Sequence, residues 1–563
     1  MKVAVTGATS DFGAAILPAL CADPEIDEVI GLGRRPPRLC HPKLRSRRLD
    51  VRSPELAGVF DGCEAVLHLA FVVEEIRDKA EIHDINLRGS RNVIDSAARA
   101  GVERLVVASS VNAYGVGDLP KLVDEDVFPS GSPDHYYFYD KAEVEHYAEW
   151  WLRRHPGEMA IALLRSPYVI GPSFGNDGID ALTAPVLMLP EAGRAGYQFL
   201  HQRDLADAFH RAAKLSLVGP YNLGTQDWIS ARDLARMHGQ LLAGVPEKPA
   251  RRIADVLFRL GLFPASGQWV VPGDTCVDGS RFRAATGWAP ALTSSEAAAI
   301  MVLHKGRPVL PARYALSGKA ACERALEPAT EILAGWVETV GGIRALVEES
   351  GGLEKALGRL EHVQRPVPSG SVHLEVHPAE GVRLGTVVVS AGPGLHARWC
   401  TPLAMSLARH GVEVVLVDLP GHGLSTGRRG RADREAVASA LAAAIRYAST
   451  RSSMPPYLVR PEPVARRRRS GGLLAVTGQP PPPHVLGCLH GNADPLVVRR
   501  AIARTAKDQA AGAVLPPVAG VIPVAGPSVA LAPGGLTPVR DAVLRVVRAS
   551  AGRQAHAREE VQS

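Results

Sequence analysis

The first thirteen residues restrict this chain more than any other stretch. Lys2-Val3-Ala4-Val5 reads as a short buried strand that runs directly into Thr6-Gly7-Ala8-Thr9-Ser10-Asp11-Phe12-Gly13, and Ala14-Ala15-Ile16-Leu17 reads as the opening of a helix. Strand, tight turn and helix N-terminus in that order make an anion site, because backbone N–H groups and the helix dipole converge on one point. Gly7 permits the turn and Gly13 permits close packing of helix on strand. Ser10 stands where a third glycine is usual, and its hydroxyl is expected to compensate by donating to a phosphate. Such a loop alone does not identify a dinucleotide site.

Further along, Tyr137 and Lys141 are four residues apart, downstream of Ser109-Ser110. Positions i and i+4 share a helix face, so the Lys141 ammonium can sit beside the Tyr137 phenol. A free Tyr titrates near ~10 and is a poor base at neutral pH, and a neighbouring cation lowers that value. A serine hydroxyl could hold the substrate oxygen while Tyr137 moves its proton. This chemistry suits hydride transfer at a carbinol or carbonyl carbon.

The order of the remaining pieces gives these two signals a common meaning. They are Glu28-Val29-Ile30-Gly31-Leu32-Gly33-Arg34-Arg35, then Asp50-Val51, Leu67-His68-Leu69-Ala70, Asn86-Leu87-Arg88-Gly89-Ser90-Arg91-Asn92 and Ser109-Ser110-Val111-Asn112-Ala113-Tyr114-Gly115. Tyr137/Lys141, Arg165-Ser166-Pro167-Tyr168-Val169, His201-Gln202-Arg203-Asp204 and Thr286-Gly287-Trp288-Ala289-Pro290 complete the set. Over about residues 1 to 300 the chain resembles the extended short-chain dehydrogenase/reductases, the NAD-dependent epimerase/dehydratase branch. The resemblance implies an α/β fold, a Rossmann-type doubly wound parallel sheet with a small substrate lobe. It picks Ser110 rather than Ser109 as catalytic, beside Tyr137, and makes Lys141 bifunctional, tuning Tyr137 and holding the nicotinamide ribose. It puts Gly7, Thr9, Ser10, Asp11, Phe12 and Gly13 at the pyrophosphate, Asp50 and Val51 at the adenine, and Leu69, Ala70, Pro167, Tyr168 and Val169 along the remainder of the cofactor. His68, at the end of a buried strand, reads as structural. Arg34 and Arg35 follow the second strand where an acid would accept from the ribose of NAD, so NADP(H) is favoured, with NAD(H) as the other choice. The substrate expected is a small molecule, either a nucleotide sugar or an apolar carbonyl compound. Relatives of this kind often dimerise through two helices per subunit, here including the one bearing Tyr137. A nucleotide-sensing pseudoenzyme or scaffold is the alternative of a different class.

Composition is compatible with this reading. A formal net charge of +6 over 563 residues, without a basic stripe, gives no footprint for nucleic acid. Cys21, Cys40, Cys63, Cys276, Cys322, Cys400 and Cys488 are odd in number and scattered, as neither a metal knuckle nor a disulfide framework would be, so no metal is expected and a cytoplasmic setting is. The first strand begins at residue 2, which leaves no room for a signal peptide, and the uncharged stretch 509–539 is broken by prolines and glycines, unlike a membrane helix.

Beyond residue 304 the text changes. Residues 305–370 read as a helical connector ending in a polar linker, Arg365-Pro366-Val367-Pro368-Ser369-Gly370. A second α/β pattern occupies 371–563: strand Gly385–Ser390, a loop with Gly392-Pro393-Gly394, strand Val412–Val417, and Asp418-Leu419-Pro420-Gly421-His422-Gly423-Leu424-Ser425. It resembles the α/β-hydrolases near the lysophospholipase or monoglyceride-lipase group, which would place Gly392–Gly394 at an oxyanion hole. The pattern degenerates after about 450. Where a Gly-x-Ser-x-Gly elbow belongs, the chain reads Arg466-Arg467-Arg468-Arg469-Ser470-Gly471-Gly472, and His490-Gly491-Asn492-Ala493-Asp494 follows too closely for an acid loop. An eroded domain and a local frame disruption both fit. A weak esterase activity is the remaining alternative for this half.

Overall fold

In the computed structural model the described residues are 1–461, 519–524 and 539–551, interrupted at 76–77, 118, 176, 191–195, 261–265, 271–274, 307–308, 311, 315, 317, 340, 391–395 and 428–432. The chain divides into two compact units, Met1–Ala235 with Leu241–Met301, and Arg236–Gln240 with Val302–Ser563.

The first unit is built on seven strands: β1 (Lys2–Thr6), β2 (Glu28–Gly33), β3 (Leu44–Arg48), β4 (Ala65–His68), β5 (Arg104–Ser110), β6 (Ala160–Ser166) and β7 (Gly219–Asn222), in the order β7-β6-β5-β4-β1-β2-β3. Every pairing is parallel. The inner strands are therefore apolar on both faces, as Val3-Ala4-Val5 and Ala65-Val66-Leu67 show, all 0% exposed. Helices α1 (Asp11–Ala22), α2 (Gly89–Arg99), α3 (Tyr136–Arg154) and α4 (Gln202–Lys214) pack on the sheet. The order reverses between β1 and β4, and such a switch point opens a crevice at the carboxyl ends of the strands. This is the doubly wound sheet the sequence implies. A smaller lobe is assembled from short pairings: Tyr168–Ile170 with Phe199–His201, Gly196–Tyr197 with Ile229–Ser230, and Val186–Pro190 with Leu241–Val245.

The second unit holds helix α5 (Lys319–Thr339) and a mixed sheet of β8 (Glu361–Val367), β9 (Gly370–His377), β10 (Gly385–Ser390), β11 (Val412–Val417), β12 (Tyr457–Pro461) and β13 (Gly520–Val524), ordered β8-β9-β11-β10-β12-β13. The β8–β9 and β9–β11 pairs are antiparallel, and the other pairs are parallel. Helices α6 (Thr401–Arg409) and α7 (Arg434–Arg451) supply crossovers, and α7 buries Val437, Leu441, Ala444 and Ile445 against Val388, Val415 and Leu458. This is a hydrolase-like sheet with helices.

One reading is corrected here. Arg365–Gly370 is not a linker, because Arg365, Pro366 and Val367 pair with Val372, Ser371 and Gly370 in a hairpin turning at Pro368-Ser369. β8 is the edge of its sheet, where a proline removes no ladder hydrogen bond from a neighbour on its free side. The Gly392–Gly394 loop, the Arg466–Gly472 stretch with Ser470, the His490–Asp494 segment and Cys488 lie outside the described residues.

Candidate active site

The turn after β1 is shaped by close approach. Gly7 has φ +70°, and a Cβ there would lie 2.5 Å from the Ala70 nitrogen and 2.7 Å from the Leu69 carbonyl carbon. At Gly13 a Cβ would meet the Ala8 carbonyl oxygen at 2.5 Å. Both positions thus exclude a side chain and bring α1 end-on to the switch point. Ser10 is the N-cap of α1. Its Oγ accepts from Gly13 N at 3.1 Å and donates to the Gly7 carbonyl at 2.8 Å. The hydroxyl proton is thereby taken up inside the turn, and the expected donation to phosphate gives way to capping. The cradle itself, a helix N-terminus walled by glycines, fits a nucleotide pyrophosphate.

The other expected cofactor positions fall at the start of α1 and just past β2, β3, β4 and β6. Thr9 lies against Gly33 at the end of β2, where a Cβ on the glycine would meet the Thr9 side chain at 3.3 Å. Asp11 accepts from Gly175 N at 3.4 Å. Phe12 turns its ring to Phe174 and Phe209, with centroids at 5.6 and 6.0 Å, so its backbone rather than its ring belongs to the turn. Arg34 and Arg35 are exposed just past β2. Asp50 is forked by Arg52 through two contacts of 2.9 Å, and this pairing, with Arg34 contributing, holds its carboxyl below the usual range. Val51 is buried over Gly89, where a Cβ would meet its Cγ2 at 2.6 Å. Leu69 and Ala70 continue β4 into the crevice. Pro167 and Val169 are buried, and Tyr168 is half-buried against Phe199 at 6.0 Å.

The residues expected to react come from β5 and the first turns of α3. Ser110 closes β5 and caps the following short turn, its Oγ accepting from Asn112 N at 3.2 Å. Ser109, by contrast, donates inward to Glu145. Lys141 is buried. Its Nζ donates to the Ala108 carbonyl at 2.7 Å and lies 3.6 Å from the Phe71 ring centroid and 5.7 Å from that of Tyr137. The half-buried Tyr137 ring stands edge-on to Phe71 at 5.7 Å and tilted against Trp269 at 5.8 Å. Burial pulls the Lys141 ammonium down to about 7 against the opposing pull of Glu145 and Asp140. Around neutrality this group is poised between its charged and neutral forms.

A polar scaffold holds the reactive turn. Arg165 reaches Glu145 Oε2 at 2.5 Å from Nη2, and the Tyr114 hydroxyl at 2.7 Å from Nη1, and that hydroxyl donates on to Asn222 at 3.0 Å. Asp140 accepts from Asn86 Nδ2 at 2.9 Å and bonds His83. His68 bridges Thr6 and Ser90, both at 2.8 Å, and burial pushes it down to about 3, so it is a neutral structural group. Phe71 and Trp269 were not singled out in the sequence. Phe71 lies in a loop and Trp269 ends the short 3-10 helix Gly267–Trp269, and only the fold brings them to Tyr137.

Two family models match the chain. The model of the NAD dependent epimerase/dehydratase family matches residues 3–224, and that of the family described as Serine aminopeptidase, S33 matches residues 382–459. An uncharacterized protein of Mycobacterium tuberculosis is 27% identical over 259 residues, 43% of this chain and 67% of its own. The L-arabinose 1-dehydrogenase (NAD(P)(+)) of Haloferax volcanii is 28% identical over 165 residues, 27% of this chain and 62% of its own. Among solved structures, MoeE5 in complex with UDP-glucose and NAD is 24% identical, covers 54% of this chain and 97% of its own, and superposes with a TM-score of 0.43. Over residues 3–224, then, the chain is similar to the NAD dependent epimerase/dehydratase family, and over residues 382–459 to a family of hydrolases.

Proposed function

We propose that the first unit is an NAD(P)-dependent oxidoreductase or epimerase interconverting a carbinol and a carbonyl, with Ser110, Tyr137 and Lys141 as its reacting groups. The observation that carries this reading is Lys141. Its amine is one helical turn from Tyr137, fixed to the β5 carbonyl of Ala108 and beside the nucleotide cradle. When bound, the nicotinamide supplies or accepts the hydride. Tyr137 gives a proton to the substrate oxygen or takes it, Ser110 orients that oxygen, and the Lys141 cation favours the Tyr137 phenolate. Phe71 and Trp269 wall the phenol on two sides and limit water there.

The substrate is a nucleotide sugar or an apolar carbonyl compound. The family match supports the first, since it is a family of epimerases and dehydratases. Arg34 and Arg35, exposed past β2 with no acid in that place, favour NADP(H).

Two measurements test this. Tyr137→Phe should lower turnover by about 10²–10⁴-fold, the scale of general acid–base catalysis, and leave nucleotide affinity within a few-fold. Retained turnover would remove Tyr137 from the mechanism. Denaturing fresh protein identifies any retained nucleotide, and titration of the emptied protein then compares NADPH with NADH. Arg34→Ala/Arg35→Ala should weaken NADPH by about tenfold or more relative to NADH, the loss of one charge-assisted contact. Equal weakening of both would make the arginines incidental.

A further inference from the structure

The second unit contains a buried cluster that none of the expected chemistry uses. Cys322 lies in the first turn of α5, His362 on β8 and His373 on β9, with one donor atom from each within 4.8 Å of the others. The two imidazoles meet edge to edge with planes 23° apart and centroids 5.2 Å apart, and His362 Nδ1 faces His373 Nε2 at 2.9 Å.

The outer nitrogens decide what the inner ones can be. His362 Nε2 is 2.8 Å from Glu323 Oε1, and the Glu323 carboxylate is gripped by the Arg398 guanidinium at 3.0 and 3.1 Å. His373 Nδ1 is 2.8 Å from Asp418 Oδ2, and that carboxylate also accepts from Ala397 N at 2.6 Å and Leu424 N at 2.9 Å. Both carboxylates are committed as acceptors, so each outer imidazole nitrogen carries its proton and donates. Each inner nitrogen then presents a lone pair, and the two lone pairs point at each other in a buried place. A cation must lie between them, either a proton or a metal.

The sulfur discriminates between these. A shared proton needs only the two rings, whereas here a thiol converges on the same point. A carboxylate behind each imidazole is also how metal-ligating histidines are oriented. The geometry points to a divalent metal site, of the zinc class, held by Cys322 Sγ, His362 Nδ1 and His373 Nε2. Tetrahedral zinc with Zn–N near 2.0–2.1 Å separates its nitrogens by about 3.3 Å, so the rings need part by only a few tenths of an ångström. On loading, Cys322 loses its proton to solvent and gives up its hydrogen bond to the Leu316 carbonyl, which stays satisfied by Gln364 Nε2 at 3.1 Å. Gln364 Oε1 is buried and has no hydrogen-bond partner among the described residues, and its amide shares the Leu316 carbonyl with Cys322, which makes this oxygen the ligand at hand for the fourth position. The site pins the start of α5 to the β8–β9 hairpin. It uses nothing from the nucleotide site and stands apart from the proposed redox chemistry.

The test uses untagged full-length protein. Its metal content is measured by mass spectrometry, and chelator-stripped protein is then titrated with Co²⁺ while thiolate-to-cobalt charge-transfer absorption is followed. One equivalent of zinc as isolated, and a thiolate–cobalt band saturating at one equivalent, are expected. Cys322→Ser should abolish that band with circular dichroism unchanged, and His362→Gln should weaken cobalt binding by tenfold or more. Wild-type protein that holds no metal and gives no thiolate–cobalt band overturns the proposal and leaves a shared proton between the rings. A band that persists in Cys322→Ser overturns it as well. Should the variants fail to fold, the wild-type titration alone decides.

Discussion

At the scale of single residues, Lys141 carries the sharpest consequence. Its amine titrates at about 7 in the folded protein against 10.5 for an exposed lysine. Between those values the unfolded chain binds more protons than the native one, so the lysine makes stability rise with pH across that interval, and its destabilising effect is complete below about 7. Lys141→Met removes this linkage. The variant should unfold at a higher temperature than wild type at pH 6–7, lose the rise in stability toward pH 10, and lose turnover by about 10²-fold or more. Thermal melts across pH, paired with assays, check all three. A wild-type melting curve flat from pH 7 to 10 would show the amine to be solvated. Ser10 teaches a related lesson about reading residues one at a time. The sequence shows a hydroxyl in a phosphate loop, but it cannot show that the Gly7 carbonyl lies 2.8 Å from that hydroxyl and claims its proton first.

Among elements, the α3–β6 contact depends on one buried ion pair. Arg165 and Glu145 are each 2% exposed and complete each other's hydrogen bonding. Removing one partner leaves a buried charge alone, which costs about 3–5 kcal/mol. Glu145→Gln should therefore lower the urea midpoint by that equivalent, and it should also reduce turnover because Ser109 and Tyr114 lose their anchor. An unchanged midpoint would mean that the pair is hydrated. The same scale shows what the sequence could convey. Parallel strands such as Val3-Ala4-Val5 were legible because burial on both faces demands an unbroken apolar run. β8 was not, since an edge strand tolerates Pro366, Arg365 and Gln364, and in text this mixture looks like a linker. Tyr137 and Lys141 were legible because helical spacing alone brings them together. Phe71, in a loop, and Trp269, in a single 3-10 turn, are placed only by the tertiary fold, and Cys322, His362 and His373 meet across 51 residues with no spacing rule to mark them.

For the whole molecule, two compact units with separate cores predict two unfolding transitions. NADPH at a hundredfold excess over its dissociation constant should raise one of them by the equivalent of about 2.7 kcal/mol and leave the other in place. A chelator should move only the transition that nucleotide does not touch. A single transition shifted by both additives would mean that the units melt as one. β1 adds a consequence for the order in which the sheet can close. It lies between β2 and β4, its residues Val3, Ala4 and Val5 pairing with Val29, Ile30 and Gly31 on one side and with Ala65, Val66 and Leu67 on the other. The second pairing spans more than twice the chain of the first, so one edge of this apolar strand stays open until β4 has emerged from the ribosome, at about 5–20 residues per second. That open edge makes Lys2–Thr6 a segment on which a holdase chaperone would act.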